Sequence, residues 1–369
     1  MKYAETLKIG TLNIRGTMEA GKREMVEIWM KSNDVNILLL QETKTRQNVR
    51  EVRKDFVWFF SGEAHQQEYT HGVGFVIRQH IVKHIVDIHP HSDRLAVAVL
   101  KIGATFTLNL ISAYAPHAGR TEEEKEAFYE DLQLLYSSYK NKGPTWIMGD
   151  MNARIVKATS EEEQSYIGKF TFRPESASAL SGNDGIVHNR SLLVSFCMGN
   201  ECILANTWFK KQDRHLASYR TPGTEQTDLR VRPNFEQLDY ILIPRKWRNA
   251  IRNVGVDDTA NINSDHFPII VTSRLYLAKN RNVNQHRNVC WLACNDEQWQ
   301  NYNLQITEEI RAAKENLPAN CPVPWNYFKE IAERAAEQHI PKAERNMSRE
   351  VISFKTKELI QQRQDSIFT

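Results

Sequence analysis

The sequence predicts a layered α/β protein, two packed sheets flanked by helices, with a helical extension at the C-terminal end. Three observations carry that expectation. Short apolar, β-rich runs recur up to about residue 275, helical patterns fall only occasionally between them, and beyond that point the strand rhythm stops. Many strands with few helices must bury both sheet faces, and two sheets packed on each other with helices outside do so.

The strand-like runs are LKIGTLNI (7–14), VNILLL (35–40), GVGFVI (72–77), LAVAVL (95–100) and ATFTLNLISAY (104–114). TWIMG (145–149), ECILANT (201–207), QLDYILI (237–243) and FPIIVTSRL (267–275) continue the series. Each has strand length and is bounded by Gly, Pro, Asn or Asp. Helices are expected over 22–31, 121–139 and 191–198. Thr121, with Glu124 three residues on, has the form of a capping box.

The remainder is read as a separate segment, so the expected division is 1–275 and 276–369. The stretches 296–317 and 325–340 have helical periodicity, and 355–364 is helix-like. Residues 276–369 hold 13 Lys and Arg against 12 Asp and Glu, which rules out a basic arm. The pattern is that of an amphipathic extension packing on the main domain or on something absent here. The chain stops soon after 355–364, as if a longer protein continued. No internal repeat is found.

At 369 residues, 41% hydrophobic and 25% charged, the chain can bury a large core, and wholesale disorder is excluded. Net charge of +3 argues only weakly for a polyanionic partner. The N-terminus has no charged-then-apolar leader, and no apolar run reaches the roughly 20 residues of a membrane helix, so no membrane partner is expected. The five cysteines, 197, 202, 290, 294 and 321, form no regular framework and no zinc-finger spacing; free thiols are expected.

Polar residues interrupt the strand ends. Asn13 follows an apolar run, Glu42 follows ILLLQ, and Tyr114 ends LNLISAY. Asp150 and Asn152 follow WIMG, Asp239 lies inside QLDYI, and Asp265 with His266 precedes FPIIV. Taken singly, most have ordinary readings. Asn13 and the GDMN loop suit turns, Glu42 a solvated strand end, and Tyr114 a core aromatic with its hydroxyl at the surface. Asp239 is different, because a carboxylate between Leu238 and YILI is costly to bury without a partner, and a histidine is a good candidate. Six separate segments delivering such groups to one sheet rim form a constellation, since ligands lie where strands end. The residue types match phosphodiester hydrolysis, which needs a hard cation held by carboxylates, a group to orient water, and donors for phosphoryl charge.

The blocks TLNIRG, LLLQETK, SAYAP, GDMNARI, QLDYILI and SDHFPI resemble, in order, those of the endonuclease/exonuclease/phosphatase superfamily. The resemblance covers about residues 7–275. Within that superfamily, GDMNARI and the spacing look most like the endonuclease of non-LTR (LINE-type) retrotransposons. The tail resembles the linker before their reverse transcriptase, particularly in RTE-like elements and the related craniofacial-development-protein-2-like genes. The resemblance implies a DNase I-like four-layer sandwich of two mainly antiparallel sheets flanked by helices. It also implies a DNA endonuclease that depends on Mg²⁺, with Mn²⁺ as a substitute, and leaves a 3′-hydroxyl for target-primed reverse transcription.

By the same resemblance, Glu42 would be the principal metal ligand with Asn13 beside it, and Asp265 would lie on the metal side. Asp150 would orient the attacking water, with Asn152 holding water and phosphate. Tyr114 would stabilise the phosphoryl transition state. His266 would contact the scissile phosphate while Asp239, not the adjacent Asp265, fixes its tautomer. This chain departs from the family where Ser218 and Tyr219 stand in for a Thr-Trp or similar pair; in the long stretch that follows, Arg220, Arg230 and Arg232 are expected to grip phosphates, the alternative being a simply solvated charged loop. The 156–190 segment also departs from the short glycine-rich connection expected there. The expected partners are DNA and the absent reverse transcriptase region, and the protein is expected to act as a monomer in the nucleus, where its substrate lies. Two other readings fit the same residues. One is an abasic-site endonuclease or other phosphoesterase on the same scaffold; the other is a domesticated, non-catalytic chromatin or protein-binding module.

Overall fold

The structure, a computed structural model, describes residues 6–45, 47–62, 71–102, 106–172, 184–222, 235–276, 294–315 and 325–341. The chain packs as two compact units, Met1–Lys279 and Asn280–Thr369.

In the first unit the chain runs through β1 (Thr6–Asn13), α1 (Lys22–Ser32), β2 (Ile37–Gln41), β3 (Val49–Val52), β4 (Phe56–Ser61), β5 (Val73–Arg78), α2 (Gln79–Val82) and β6 (Ile85–Pro90). It continues with β7 (Leu95–Lys101), β8 (Thr107–Tyr114), α3 (Glu122–Tyr139), β9 (Thr145–Asp150), α4 (Asp184–Gly199) and β10 (Cys202–Leu204). The short ribbon β11 (Tyr219–Arg220) and β12 (Phe235–Glu236) precedes β13 (Asp239–Pro244), β14 (Ile251–Val256) and β15 (Ile269–Tyr276).

Two sheets result. The larger has the order β14-β15-β1-β2-β5-β4-β3, the smaller β10-β13-β9-β8-β7-β6. Pairing is antiparallel except for one parallel pair in each, β1 with β2 and β8 with β9. Leu7, Ile9, Leu39 and Phe75 from the larger sheet meet Ala98, Leu110, Trp146 and Ile241 from the smaller in the central core. On the outer face of the larger sheet, Val26, Trp29 and Met30 of α1 pack on Leu12, Leu38 and Leu40. On the outer face of the smaller, Phe128, Leu132, Leu193 and Phe196 of α3 and α4 pack on Val97, Ile111 and Leu242. The order helix, sheet, sheet, helices is the arrangement of two packed sheets flanked by helices that the strand and helix pattern predicts, and the four-layer sandwich that the resemblance implies.

Every run read as a strand contains one, but some boundaries and elements differ. The run 201–207 is a strand only to Leu204, after which Ala205–Trp208 form a 3₁₀ turn. Helix α4 begins at Asp184, seven residues before the expected start. Asn189 fixes this first part by donating to Pro116 O (3.0 Å) and Asn152 O (2.8 Å), tertiary bonds with no local pattern. Strands β3 and β6 were not expected. Both are largely exposed and hold their place by pairing with β4 and β7, not by an apolar pattern of their own. Strands β4 and β14 were likewise not expected.

In the second unit α5 (Asp296–Glu315) and α6 (Trp325–His339) pack against each other. Arg334 Nη2 lies 3.3 Å from Glu309 Oε2, and Ile331, Ala335, Ala336 and Ile340 are buried. The segment 355–364, Cys290 and Cys321 lie outside the described residues. Cys197, Cys202 and Cys294 are free thiols. Among the described residues no helix is long and apolar enough to cross a membrane.

Candidate active site

Strand alternation selects the side chains that reach one rim of the sandwich. On β1, Leu7 and Ile9 face the inter-sheet core, so Thr11 and Asn13 follow on that face. The same parity on β8 runs through Leu108 and Leu110 to Ser112 and Tyr114. On β9 it runs through Trp146 and Met148 to Asp150, and on β13 from Asp239 to Ile241 and Ile243. Because β1 and β2 are parallel, as are β8 and β9, their C-terminal ends share a rim. Antiparallel pairing sets Asp239, at the start of β13, opposite Asp150.

Just below that rim a buried polar tie joins the sheets. Thr11 Oγ1 donates to Gln41 Oε1 (3.2 Å), Gln41 Nε2 donates to Ser112 Oγ (3.0 Å), and Ser112 Oγ donates to Leu40 O (2.9 Å). Buried polar groups satisfied in this way fix the relative position of the elements that carry them.

Glu42 departs from the parity rule. On an unbroken β2 it would follow Leu38 and Leu40 towards α1, but its φ of 50° is left-handed and re-aims it into the cleft. Asn152 has φ 47° and Arg15 φ 51°. Non-glycine residues in this region are uncommon and gather at functional sites. Gly149 serves a related purpose, since a Cβ there would lie 1.9 Å from Ala113 O and force β9 away from β8.

Asn13 is fully buried and links the two sheets. Its Nδ2 donates to Glu42 Oε1 (2.9 Å) and to Asp150 Oδ2 (3.0 Å), while its Oδ1 accepts from Arg15 N (3.1 Å). Tyr114 OH donates to the same Glu42 oxygen at 3.0 Å. Burial, with the Glu42 and Asp150 charges beside it, pushes the Tyr114 phenol far above its usual range, so it remains a donor. Asp150 Oδ1 accepts from Asn152 N (2.9 Å), and Asn152 Nδ2 donates to Ala115 O (2.8 Å).

His266 Nδ1 lies 2.9 Å from Asp239 Oδ2, and His266 Nε2 lies 3.8 Å from Asp150 Oδ2. The ligand-capable atoms of Asp150, Asp239 and His266 all fall within 4.8 Å of one another, and all three residues are buried. Burial opposes charge on the imidazole, but the charge and hydrogen bond of Asp239, with Asp150 and Asp265 nearby, raise it to about 9. Burial and the Asp239 charge lift Asp150 to about 7, against the opposing pull of His266. At neutral pH the cleft therefore holds a cationic imidazole beside a carboxyl group poised to exchange a proton.

Asp265 and His266 diverge. Asp265 Oδ2 pairs with Arg15 Nη1, and Asp265 Oδ1 is buried with no hydrogen-bond partner. Arg220 N donates to Asp265 O (2.8 Å), and its guanidinium lies 5.8 Å from the Phe267 ring centroid. Tyr219 forms a β-bridge with His266, their ring centroids 4.9 Å apart. Arg230 and Arg232 lie outside the described residues.

These groups line one open cleft of about 420 Å³, walled by Glu42, Tyr114, Asp150, Asn152, Asp265 and His266, with Arg15, Arg154 and Tyr219 among its other residues. Every expected catalytic side chain in the described residues is thus brought to one rim. Sequence reasoning singled out neither Arg15, although it lies within TLNIRG, nor Arg154. Arg154 is held in a two-pronged pair with Glu236 (2.7 and 2.6 Å). The donor set fits a hard divalent cation: Glu42, Asp150 and Asp265 put three carboxylates on the cleft, and the unsatisfied Asp265 Oδ1 is an oxygen such a cation could take.

A two-sheet sandwich with this carboxylate-lined rim defines a phosphoesterase or nuclease scaffold. The model of the Endonuclease/Exonuclease/phosphatase family matches residues 10–266, and the chain belongs to that family. Craniofacial development protein 2 from Bos taurus is 28% identical over 269 residues, 73% of this chain and 41% of the relative. The chain thus spans about two fifths of the length of the curated relatives it matches. Among solved structures, the catalytic domain of Xenopus laevis APE2 is similar with a TM-score of 0.55 at 17% identity, covering 74% of this chain and 94% of that one. An AP endonuclease from Archaeoglobus fulgidus has a TM-score of 0.52 at 18% identity, covering 73% and 100%.

Proposed function

We propose that the chain is a Mg²⁺-dependent DNA endonuclease, able to use Mn²⁺, that nicks one strand and leaves a 3′-hydroxyl. In a longer protein of the non-LTR retrotransposon type that hydroxyl would prime reverse transcription in the nucleus, residues 276–369 leading into the polymerase region. The observation that carries the reading is the single cleft in which Asn13 joins Glu42 to Asp150 while Asp239 holds His266.

Glu42, with Asn13 orienting it, would be the principal metal holder; Asp265 would join it if Arg15 turns away. The ion would supply positive charge to the phosphoryl oxygens and acidify a water molecule. Asp150, near 7, takes the proton of the attacking water at its carboxylate, and Asn152 keeps that carboxylate aimed. His266, near 9, stays protonated and donates from Nε2 to a phosphate oxygen, its other nitrogen fixed by Asp239. Tyr114 donates its hydroxyl hydrogen to charge developing on phosphorus-bound oxygen. Arg220, at the edge of this site, serves as a phosphate contact, and one copy of the chain suffices.

Supercoiled plasmid relaxation in Mg²⁺ provides the test, with a polymerase extension assay reading the 3′ end. Glu42→Ala and His266→Ala should each lose at least about 100-fold in rate. If both variants relax plasmid at the unmutated rate, the assignment is wrong. Parallel assays on abasic duplex and phosphoinositide separate the related phosphoesterase readings, and a strong preference for abasic duplex would replace the retrotransposon reading. An intact fold that binds no Mg²⁺ by calorimetry would support a non-catalytic module instead.

A further inference from the structure

A second polar cluster stands behind Tyr114, outside the cleft. His71 Nδ1 lies 2.8 Å from Asp93 Oδ2, and Arg94 Nη2 lies 2.9 Å from His71 Nε2. A guanidinium has no acceptor, so Nε2 accepts and the ring is the neutral tautomer whose Nδ1–H donates to Asp93. Arg94 Nη1 donates to Tyr114 O at 3.2 Å, and its Cζ lies 5.1 Å from the Tyr114 ring centroid. The His71 ring centroid is 5.9 Å from the same ring. The Tyr114 ring is therefore contacted by a cation and an imidazole, each held by a further polar group.

The backbone of this cluster also holds the loop that carries Glu42. Thr43 N donates to Gly72 O (2.9 Å), Lys44 N to His71 O (2.8 Å), and Gly72 N to Asp93 O (2.8 Å). Gly72, at φ 106°, permits the approach, since a Cβ there would lie 2.4 Å from Thr43 Oγ1. One cluster thus grips both partners of the Tyr114–Glu42 hydrogen bond, yet none of His71, Asp93 and Arg94 lines the cleft. Two of the Arg94 nitrogens point at Tyr114 and His71, an arrangement suited to holding protein groups in place.

We propose that His71, Asp93 and Arg94 form a brace that positions Tyr114 and Glu42 for catalysis, acting through them without touching substrate. The proposal rests on the reading in the preceding subsection only where activity is measured. Groups that orient active-site ligands in this way typically cost about 10–100-fold when removed.

The test combines nicking kinetics with ¹⁹F NMR on the full chain carrying 3-fluorotyrosine at position 114, with melting temperature as a check of folding. Arg94→Met should lower kcat by about 10–100-fold with KM nearly unchanged. In a Tyr114→Phe background the same substitution should cost measurably less than in the unmutated protein, because the part transmitted through the Tyr114 hydroxyl is already gone. The ¹⁹F resonance should shift and broaden in Arg94→Met and in His71→Gln, the second variant guarding against a folding failure in the first. An undiminished loss in the Tyr114→Phe background, a loss confined to KM, or an unchanged ¹⁹F resonance in both variants would overturn the brace. If the unmutated protein does not nick DNA, the preceding reading fails, and the ¹⁹F result alone still decides the brace.

Discussion

At Asp150 the needs of the fold and of the site conflict. Its carboxyl is held above its usual range first by burial and then by Asp239, so the native state favours the protonated form. An acid whose folded pKa is raised contributes stability that is full below its unfolded value near 3.8 and is lost as pH rises through about 7. His266 works over a different window: its raised pKa contributes stability below about 6.5, lost as pH rises through about 9. Asp150→Asn should therefore raise the melting temperature of the metal-free protein by a few degrees at about pH 8, with the gain fading towards about pH 4, while abolishing nicking. Thermal scans in chelator across that range check it, and a lower melting temperature for the variant at the alkaline end would remove the argument.

Among the elements, α3 shows how a local signal and a tertiary one combine. Thr121 accepts from Glu124 N at 3.2 Å and the first turn carries Glu122, Glu123 and Glu124, so the helix begins where the sequence indicates. Thr121→Ala should lower unfolding free energy by about 1 kcal/mol, read by urea denaturation, without altering the cleft. The start of α4 was not legible in the same way, because Asn189 secures it through Pro116 and Asn152, far away in sequence. The exposed strands β3 and β6 escaped for the same reason: their partners, not their composition, make them strands. The rim residues were legible because polar groups interrupt apolar runs there, and Asn13, Tyr114 and Asp150 do end β1, β8 and β9 while Asp239 opens β13. The left-handed turns at Glu42 and Asn152 were not, since neither residue type requires such a conformation. Nor was the Arg15–Asp265 pair, which joins residues 250 positions apart.

For the molecule as a whole, the Asn13 amide has a consequence of a different kind. Glu42 belongs to one sheet and Asp150 to the other, and a single planar group, seated on the same buried seam as Gln41 and Ser112, sets the gap between them. The cleft in the first unit thus has no hinge of its own; its gauge is the sandwich itself. Sliding one sheet over the other by about an ångström would stretch the Asn13–Asp150 bond beyond hydrogen-bond length and disturb the close-packed core in the same movement. Inactivation should accordingly coincide with loss of the fold. Residual nicking activity after brief heating and near-ultraviolet circular dichroism of the Tyr and Trp environments should fall along one curve. An activity loss about 10 °C ahead of the spectroscopic change would mean that the cleft loosens independently of the sheets beneath it.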